Sequence, residues 1–491
     1  MLTYEVDIWS IRTRKGRPKP FELRWRVGSK RHSKSFKLKA QADGRRSELL
    51  SALRAREQFD EETGLPAQEL AARNSPTWFE HATDYCLMKW PHAAAKHRAS
   101  IADALATVTP AFVTTARGAP DARLLRRALY GWAFRAAAGT GAKARPRLEV
   151  ERPPADVAAA IDWLRAHSLK VSEAARPERA RAALDALALR MDGRAAAENT
   201  VHRKRMVLNN AMRYAVERDI LKVNPLSRID WKAPEKDDEV DFRYVPNPKQ
   251  AAGLIAAVRE QGERGRHMAA FFACLYYAAM RPSEVAALRK NDCDLPDDGW
   301  GMLTLGGSSP EVGSGWTNDG RAYERRGLKR RARGSVREVP IPPVLTAILR
   351  EHLAAHGTSS EGLLFRAARG GRVRSTEYCQ LWDTAREKAL TGEESASPLA
   401  DVPYSLRHAG VSLWINAGVD PVEVAQRAGH SIAVLFRFYA KILRGQQSRA
   451  NKLIEAGLEA GGDSDGTADL AHGWPTRTGQ RRETRGRGET G

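Results

Sequence analysis

Cysteine is scarce in this sequence: Cys86, Cys274, Cys293 and Cys379 are the four it has. They form no CxxC pair, so they supply neither a zinc-site spacing nor a disulfide framework. Long apolar runs are missing too. The most apolar stretch, Met268 to Met280, is too short to span a bilayer. The opening residues, MLTYEVDIWS, lack the basic-then-apolar layout of a secretory leader. A soluble protein of a reducing cytoplasm is the expectation. No Walker loop and no Asp/Glu metal cluster is present, so no cofactor is expected.

Acidic residues are also too few to balance the basic ones. Eighty Lys and Arg face 59 Asp and Glu, a net charge of +21. Such a surplus suits a polyanion, because each cation near a phosphate releases condensed counterions. Composition alone does not separate DNA from RNA or a membrane surface. At 491 residues the chain is too long for one core, and several domains are expected.

The N-terminal segments alternate with period two. Tyr4, Val6 and Ile8 come first, then Phe21, Leu23, Trp25 and Val27, then Phe36 and Leu38. The basic turns RKGRPKP and GSKR join them. This predicts a small three-stranded β-sheet with one dry and one cationic face, backed by a helix from about Ala40 to Gln58. From about Ser75 to Lys232 the pattern is helical. Its clearest helix is predicted to run from Asn199 or Thr200 to Glu217, with Val201, Leu208, Met212 and Ala215 on one stripe. Gly139 to Pro154 reads as a loop, and APEKDDEVDF as a charged linker. Beyond it helices and short strands alternate to about Gly457. The polar tail from Gly461 has little to bury and is expected to be disordered.

Four fragments of the last region hold the residues suited to chemistry. AAMRPSEVAALR places Arg281 before a helix that Pro282 can begin. GLKRRARGSVREVPIP is a basic hairpin candidate carrying Lys329 ahead of a strand from Val336 to Ile341. VPYSLRHAGVSLWINAG puts Arg407 early in a helix. In AGHSIAVLFRFYAK, His430 precedes Tyr439 by nine residues. Each has a plainer reading. Lys329 could be one cation of a solvated turn, Arg407 an ion-pair partner in a helix bundle, and His430 a cap for the helix begun by Asp420 and Pro421. Ile432, Leu435, Phe436 and Tyr439 also fit an ordinary buried helical stripe.

Taken in order, the four fragments resemble the tyrosine recombinase (phage integrase) family, closest to integrases of actinobacteria and their phages. The resemblance covers the last region and, more loosely, TVHRKRMVLNNAMRYAVERDILKVNPL and the basic N-terminal sheet. It implies a multidomain α+β protein. Residues 1–72 would be an arm-type DNA-binding β domain, 75–233 an all-α core-binding domain, and 243–460 a mostly α catalytic domain with short β-hairpins. A disordered tail, 461–491, would follow. The implied activity is site-specific cleavage and rejoining of double-stranded DNA through a 3′-phosphotyrosine. Arg281, Lys329, Arg407, His430 and Tyr439 would be the catalytic set, with Tyr404, Arg203 and Lys204 touching substrate. A homo-tetramer on DNA, with the helix from about Gln447 to Ala460 packing on a neighbour, is implied as well. So are an accessory DNA-bending or excision factor and a place in the cytoplasm on the bacterial nucleoid.

The family set matches known phosphoryl chemistry. Two guanidinium forks can hold non-bridging oxygens bidentately without a metal. Tyr439 would attack, His430 would donate to the phosphate, and Lys329 would protonate the leaving 5′ oxygen. Two departures stand out. Tyr404 occupies the place where the family usually has His, so the usual base is missing, and a phenol is a poor acceptor at neutral pH. Tyr404 is expected to position the phosphate, while His408, four residues on, is a second candidate for the base. Ala279 stands where glycine is common. A type IB topoisomerase-like enzyme and a catalytically inactive DNA-binding regulator remain alternatives.

Overall fold

A computed structural model describes residues 1–137, 144–232, 234, 241–328, 332, 334–444, 451–456 and 458. The fold is α+β and mostly helical, with small antiparallel sheets. Its apolar side chains gather in three clusters, one around Trp25, one around Trp78 and one around Phe272. By contacts the chain forms two compact units. The first comprises 1–237 with 309–326, and the second 238–308 with 327–491.

In the first unit, the strand Phe21–Val27 is the centre of the N-terminal sheet. It pairs with Lys30–Phe36 on one side and with Val6–Ile8 and Arg12–Thr13 on the other. The expected outer strand is thus broken into two short pieces, and the third strand lies earlier than Phe36 and Leu38 suggested. Leu23, Trp25 and Val27 are buried as the alternation requires. The backing helix runs Lys39–Arg54, shorter than expected.

The helical part opens at Thr77, whose hydroxyl and Glu80 form a reciprocal cap. The long helix runs Glu198–Glu217, with Ala197 before it and no side-chain cap. The Asn199/Thr200 cap is therefore corrected. Burial of Val201, Leu208, Met212 and Ala215 sets the position of this helix, and a missing cap is worth only about 1 kcal/mol. The expected loop at Gly139–Pro154 contains a helical turn, Arg147–Val150, while 138–143 lie outside the described residues.

Ser309–Arg326 also belongs to this unit, although it follows a strand of the other one. Trp316 inserts between Trp90 and Tyr130, with ring centroids 5.8 and 4.9 Å away. Arg98 donates to the Trp316 carbonyl and the Asn318 side chain, both at 2.8 Å. Arg135 donates to the Gly315 carbonyl at 3.0 Å. A Cβ at Gly315 would overlap the Arg135 guanidinium, so a side chain there would displace that arginine.

In the second unit the helix Gly262–Tyr277 is central, and Met268 through Tyr276 are all buried. A helix apolar on every side has to lie inside. The helix Ser405–Asn416 packs closely on it because Gly410 meets the Tyr276 carbonyl, where a Cβ would be 2.0 Å from the oxygen. Antiparallel strands Gly301–Leu305 and Arg337–Ile341 pair Leu305 with Arg337. The helix Pro421–Ala428 starts as expected, with the Asp420 carboxylate accepting from Val422 and Glu423, and Gly429 ends it at φ 65°. Most of APEKDDEVDF, Lys329, much of the Gln447–Ala460 segment and the tail from Gly461 lie outside the described residues.

Candidate active site

Arg281 sits just before the short helix that Pro282 begins, and Glu284 folds back onto it. The Glu284 carboxylate accepts from the Arg281 backbone N–H at 2.9 Å and from its guanidinium at 2.8 Å. The same carboxylate takes two bonds from Arg337, at 3.2 and 2.9 Å. Arg337 was not among the residues singled out from sequence. Only its strand register, opposite Leu305, brings it here.

Arg407 lies in the first turn of the helix Ser405–Asn416 and is fully buried. Backbone carbonyls hold its fork: it donates to Ala279 and, at 2.6 Å, to Ala428. Ala279 adopts φ 45°, the left-handed region that a Cβ disfavours. That conformation explains why glycine would suit the position, and Ala279 tolerates it at a cost of about 1–2 kcal/mol. Arg281 donates to the Gly429 carbonyl at 2.9 Å. A Cβ on Gly429 would come within 2.0 Å of the Arg337 guanidinium, so this turn needs glycine for space as well as for φ.

Two guanidiniums therefore share one carboxylate, and that of Arg407 acts on it from nearby. Side-chain exposure is 20% for Arg281, 3% for Arg337 and 2% for Glu284. Burial acts to raise the Glu284 pKa, yet Arg337, Arg281 and Arg407 hold it at about 2. Burial also lowers the Arg407 pKa. Buried charge of one sign calls for a counter-charge.

His430 follows Gly429 and reaches Arg407, which donates to its Nε2 at 2.8 Å. Arginine has no acceptor atom, so Nε2 carries the lone pair and Nδ1 the proton. That Nδ1–H is buried, and among the described residues it has no partner; nor does the Nε of Arg337. Burial, then Arg407 and Arg281, push the His430 pKa down to about 3. It is a neutral donor at physiological pH.

Tyr439 lies on the helix Ile432–Arg444 at a kink, with φ −120° and ψ 20°. Its ring is 1% exposed. The expected apolar stripe divides: Leu435 is buried, while Ile432 and Phe436 are about half exposed. The Tyr439 hydroxyl bonds His408 Nδ1 at 2.8 Å, and its ring stands 6.4 Å from that of His430. Burial raises the Tyr439 pKa, against an opposing effect of Arg407. Burial, then Arg407, lowers His408 to about 4. Tyr404 packs its ring edge-on against His408, 5.1 Å between centroids.

The structure thus brings Arg281, Arg407, His430 and Tyr439 together, with Tyr404 beside them, His408 (the second candidate for the base) on the Tyr439 hydroxyl, and Glu284 and Arg337 bracing Arg281. Lys329 is outside the described residues. Arg203 and Lys204 lie in the other unit. Arg203 is half exposed and donates to Ser100 at 3.1 Å. Lys204 is mostly buried and bonds Thr107 and Asp103, at 2.8 and 3.3 Å. Burial lowers its pKa, against the pull of Asp103.

No protein-family model matches this chain. Its relatives include a protein described as a prophage phiRv2 integrase of Mycobacterium tuberculosis, 24% identical over 261 residues, which are 50% of this chain and 60% of that protein. Another is the tyrosine recombinase XerA of Thermococcus kodakarensis, 29% identical over 187 residues, 37% of this chain and 54% of the relative. The chain thus spans less than two thirds of the curated relatives it matches. Among solved structures, a Tn1549 transposon integrase in complex with a circular intermediate DNA aligns with TM-score 0.45 and 16% identity. That alignment covers 62% of this chain and 96% of the other. The chain resembles the family that its motif order suggested.

Proposed function

We propose that the chain is a site-specific DNA recombinase that cleaves and rejoins strands through a 3′-phosphotyrosine. One observation carries this reading: two guanidiniums on the Glu284 carboxylate, with the buried Arg407 guanidinium close by, leave a positive surplus beside a phenol. A scissile phosphate supplies the missing negative charge. Arg281 and Arg407 hold its non-bridging oxygens, and the unpaired Nδ1–H of His430 donates to it. Arg337 and Glu284 position Arg281 rather than touch the phosphate.

Tyr439 attacks phosphorus, the P–O5′ bond breaks, and the 5′ oxygen leaves with a proton for which Lys329 is the proposed source. His408 takes the phenolic proton, since it already holds the hydroxyl at 2.8 Å. It fills the role left open by Tyr404. In the DNA-free protein, burial and Arg407 make His408 a weak base. An incoming phosphate offsets the arginine charge and strengthens it, which ties the base to the presence of substrate. The ester energy is kept in the tyrosine link, so rejoining is the reverse reaction.

The N-terminal β module, residues 1–72, and the helical region, 75–233, are proposed as accessory and core DNA-binding domains, with 243–460 catalytic. The net charge of +21 supports that assignment. A tetramer on DNA is proposed too, and exposed Leu453, Ile454 and Leu458 offer an apolar contact for a neighbouring copy. Work on the bacterial nucleoid and help from a DNA-bending or excision factor complete the reading. A nicked suicide duplex taken from DNA flanking the gene tests it. The expected result is a covalent adduct at the 3′ end, absent in Tyr439→Phe, which still binds DNA. An adduct that survives in Tyr439→Phe, or plasmid relaxation with no strand exchange, would overturn the recombinase reading.

A further inference from the structure

Apart from the site above, the second unit gathers three imidazoles. His267 lies on the central helix, and His352 and His356 lie one turn apart on the helix Pro343–His356. One ring nitrogen from each lies within 4.8 Å of the others. His267 and His352 are buried, and the His356 side chain is 14% exposed. We propose that His267, His352 and His356 form a binding site for a transition-metal dication of the zinc class. The inference goes beyond the recombinase reading and does not depend on it.

Ring orientation favours metal over plain packing. His352 Nε2 meets the Leu364 carbonyl at 3.0 Å, so it carries the proton and Nδ1 carries the lone pair. That Nδ1 is buried with no partner among the described residues. A histidine tied to a carbonyl through one nitrogen and free at the other is the usual state of a metal ligand. The His356 Nδ1 lies 3.7 Å from the Glu263 carboxylate, outside hydrogen-bond range, so that carboxylate would have to draw in when Nε2 takes the ion. His267 is the adjustable member. Its Nε2 takes a long bond of 3.3 Å from the Arg366 backbone N–H, which coordination would replace.

The surroundings permit a dication. Arg266 pairs with Glu263, Arg259 with Glu351 and Arg264 with Glu377, while the Arg366 guanidinium donates to the Thr358 carbonyl and keeps its charge nearby. An open cavity of about 440 Å³, lined by Glu263, Tyr277, His352 and His356, gives an entry path. Tetrahedral coordination at about 2.0–2.1 Å puts nitrogens roughly 3.4 Å apart, so from a spread of up to 4.8 Å the rings must close by up to about 1.4 Å. His356, the most exposed of the three, can supply most of that movement, with water as fourth ligand. Such an ion would clamp the central helix to its neighbour.

The test uses full-length, tag-free protein and cobalt(II) as a visible probe. The expected result is one equivalent bound with tetrahedral d–d absorption and no thiolate charge-transfer band, displaced by zinc(II). Zinc(II) should also raise the melting temperature by several degrees. His356→Gln should abolish the spectrum. Glu263→Gln, at an exposed side chain that folding does not need, should weaken binding about 10–100-fold. Absence of a one-to-one spectrum in the native protein overturns the proposal, as does a spectrum unchanged in folded His356→Gln.

Discussion

At the level of single residues, the site is organised by Glu284. It is 2% exposed and holds both Arg281 and Arg337. Removing one partner of a buried charge pair costs about 3–5 kcal/mol, because the other charge stays behind. Glu284→Gln is expected to lose stability on that scale, read by urea titration. Added sulfate or phosphate should restore part of it, since an anion then serves the same guanidiniums; a variant insensitive to anions would contradict the proposed phosphate site. His408 gives a second expectation. His408→Gln keeps a polar group near the phenol but no comparable base, and general-base catalysis is worth about 10²–10⁴-fold. Adduct formation on the suicide duplex should slow by that factor while DNA affinity holds. An unchanged rate would remove His408 from the mechanism and return the question to Tyr404.

At the level of elements, Ser309–Arg326 shows how far a segment can stray from its neighbours in sequence. It leaves a strand of the second unit, yet Trp316 and Gly315 are held in the first by Trp90, Tyr130, Arg98 and Arg135. Truncating a buried tryptophan costs about 3–5 kcal/mol. Trp316→Ala should therefore destabilise the first unit by that amount and raise proteolysis within 309–326, while the Arg281–Glu284 cluster of the other unit keeps its anion response. Equal loss in both units would argue against this anchoring. The segment's affiliation was not legible beforehand. Its sequence, SPEVGSGWTNDGRAYERR, has few apolar side chains and no period to read, and its place depends on a pocket built by distant helices. Elements with a long periodic pattern were legible. The central strand Phe21–Val27 and the helix Glu198–Glu217 lie where alternation and the 3.6-residue stripe put them, missing only at their ends, where weak caps compete with packing.

For the molecule as a whole, acid should weaken the second unit. His267 and His430 have folded pKa values of about 3 and His408 of about 4, all below the ordinary 6.5. The unfolded chain takes up protons below pH 6.5 that the folded protein refuses, so stability is full above that pH. It falls as pH drops from 6.5 towards 3. The loss is about 2 kcal/mol per histidine at pH 5 as an upper bound. Glu284, held near 2, adds its own loss only below about pH 4.5, so the window from 6.5 to 5 belongs to the histidines. Melting temperatures at pH 7.5 and 5.5 check this, and a flat profile would refute it.

Sequence alone determined the polyanion-seeking charge, the α+β character and four fragments whose order marks Arg281, Arg407, His430 and Tyr439, because charge, period and motif spacing are local properties of a chain. Tertiary structure decided which groups meet: Arg337 reaches Glu284 through strand register, His408 reaches the Tyr439 hydroxyl through a kink, and His267 reaches His352 across two helices. Those meetings depend on how helices and strands pack at ångström scale, and no spacing along the chain encodes them.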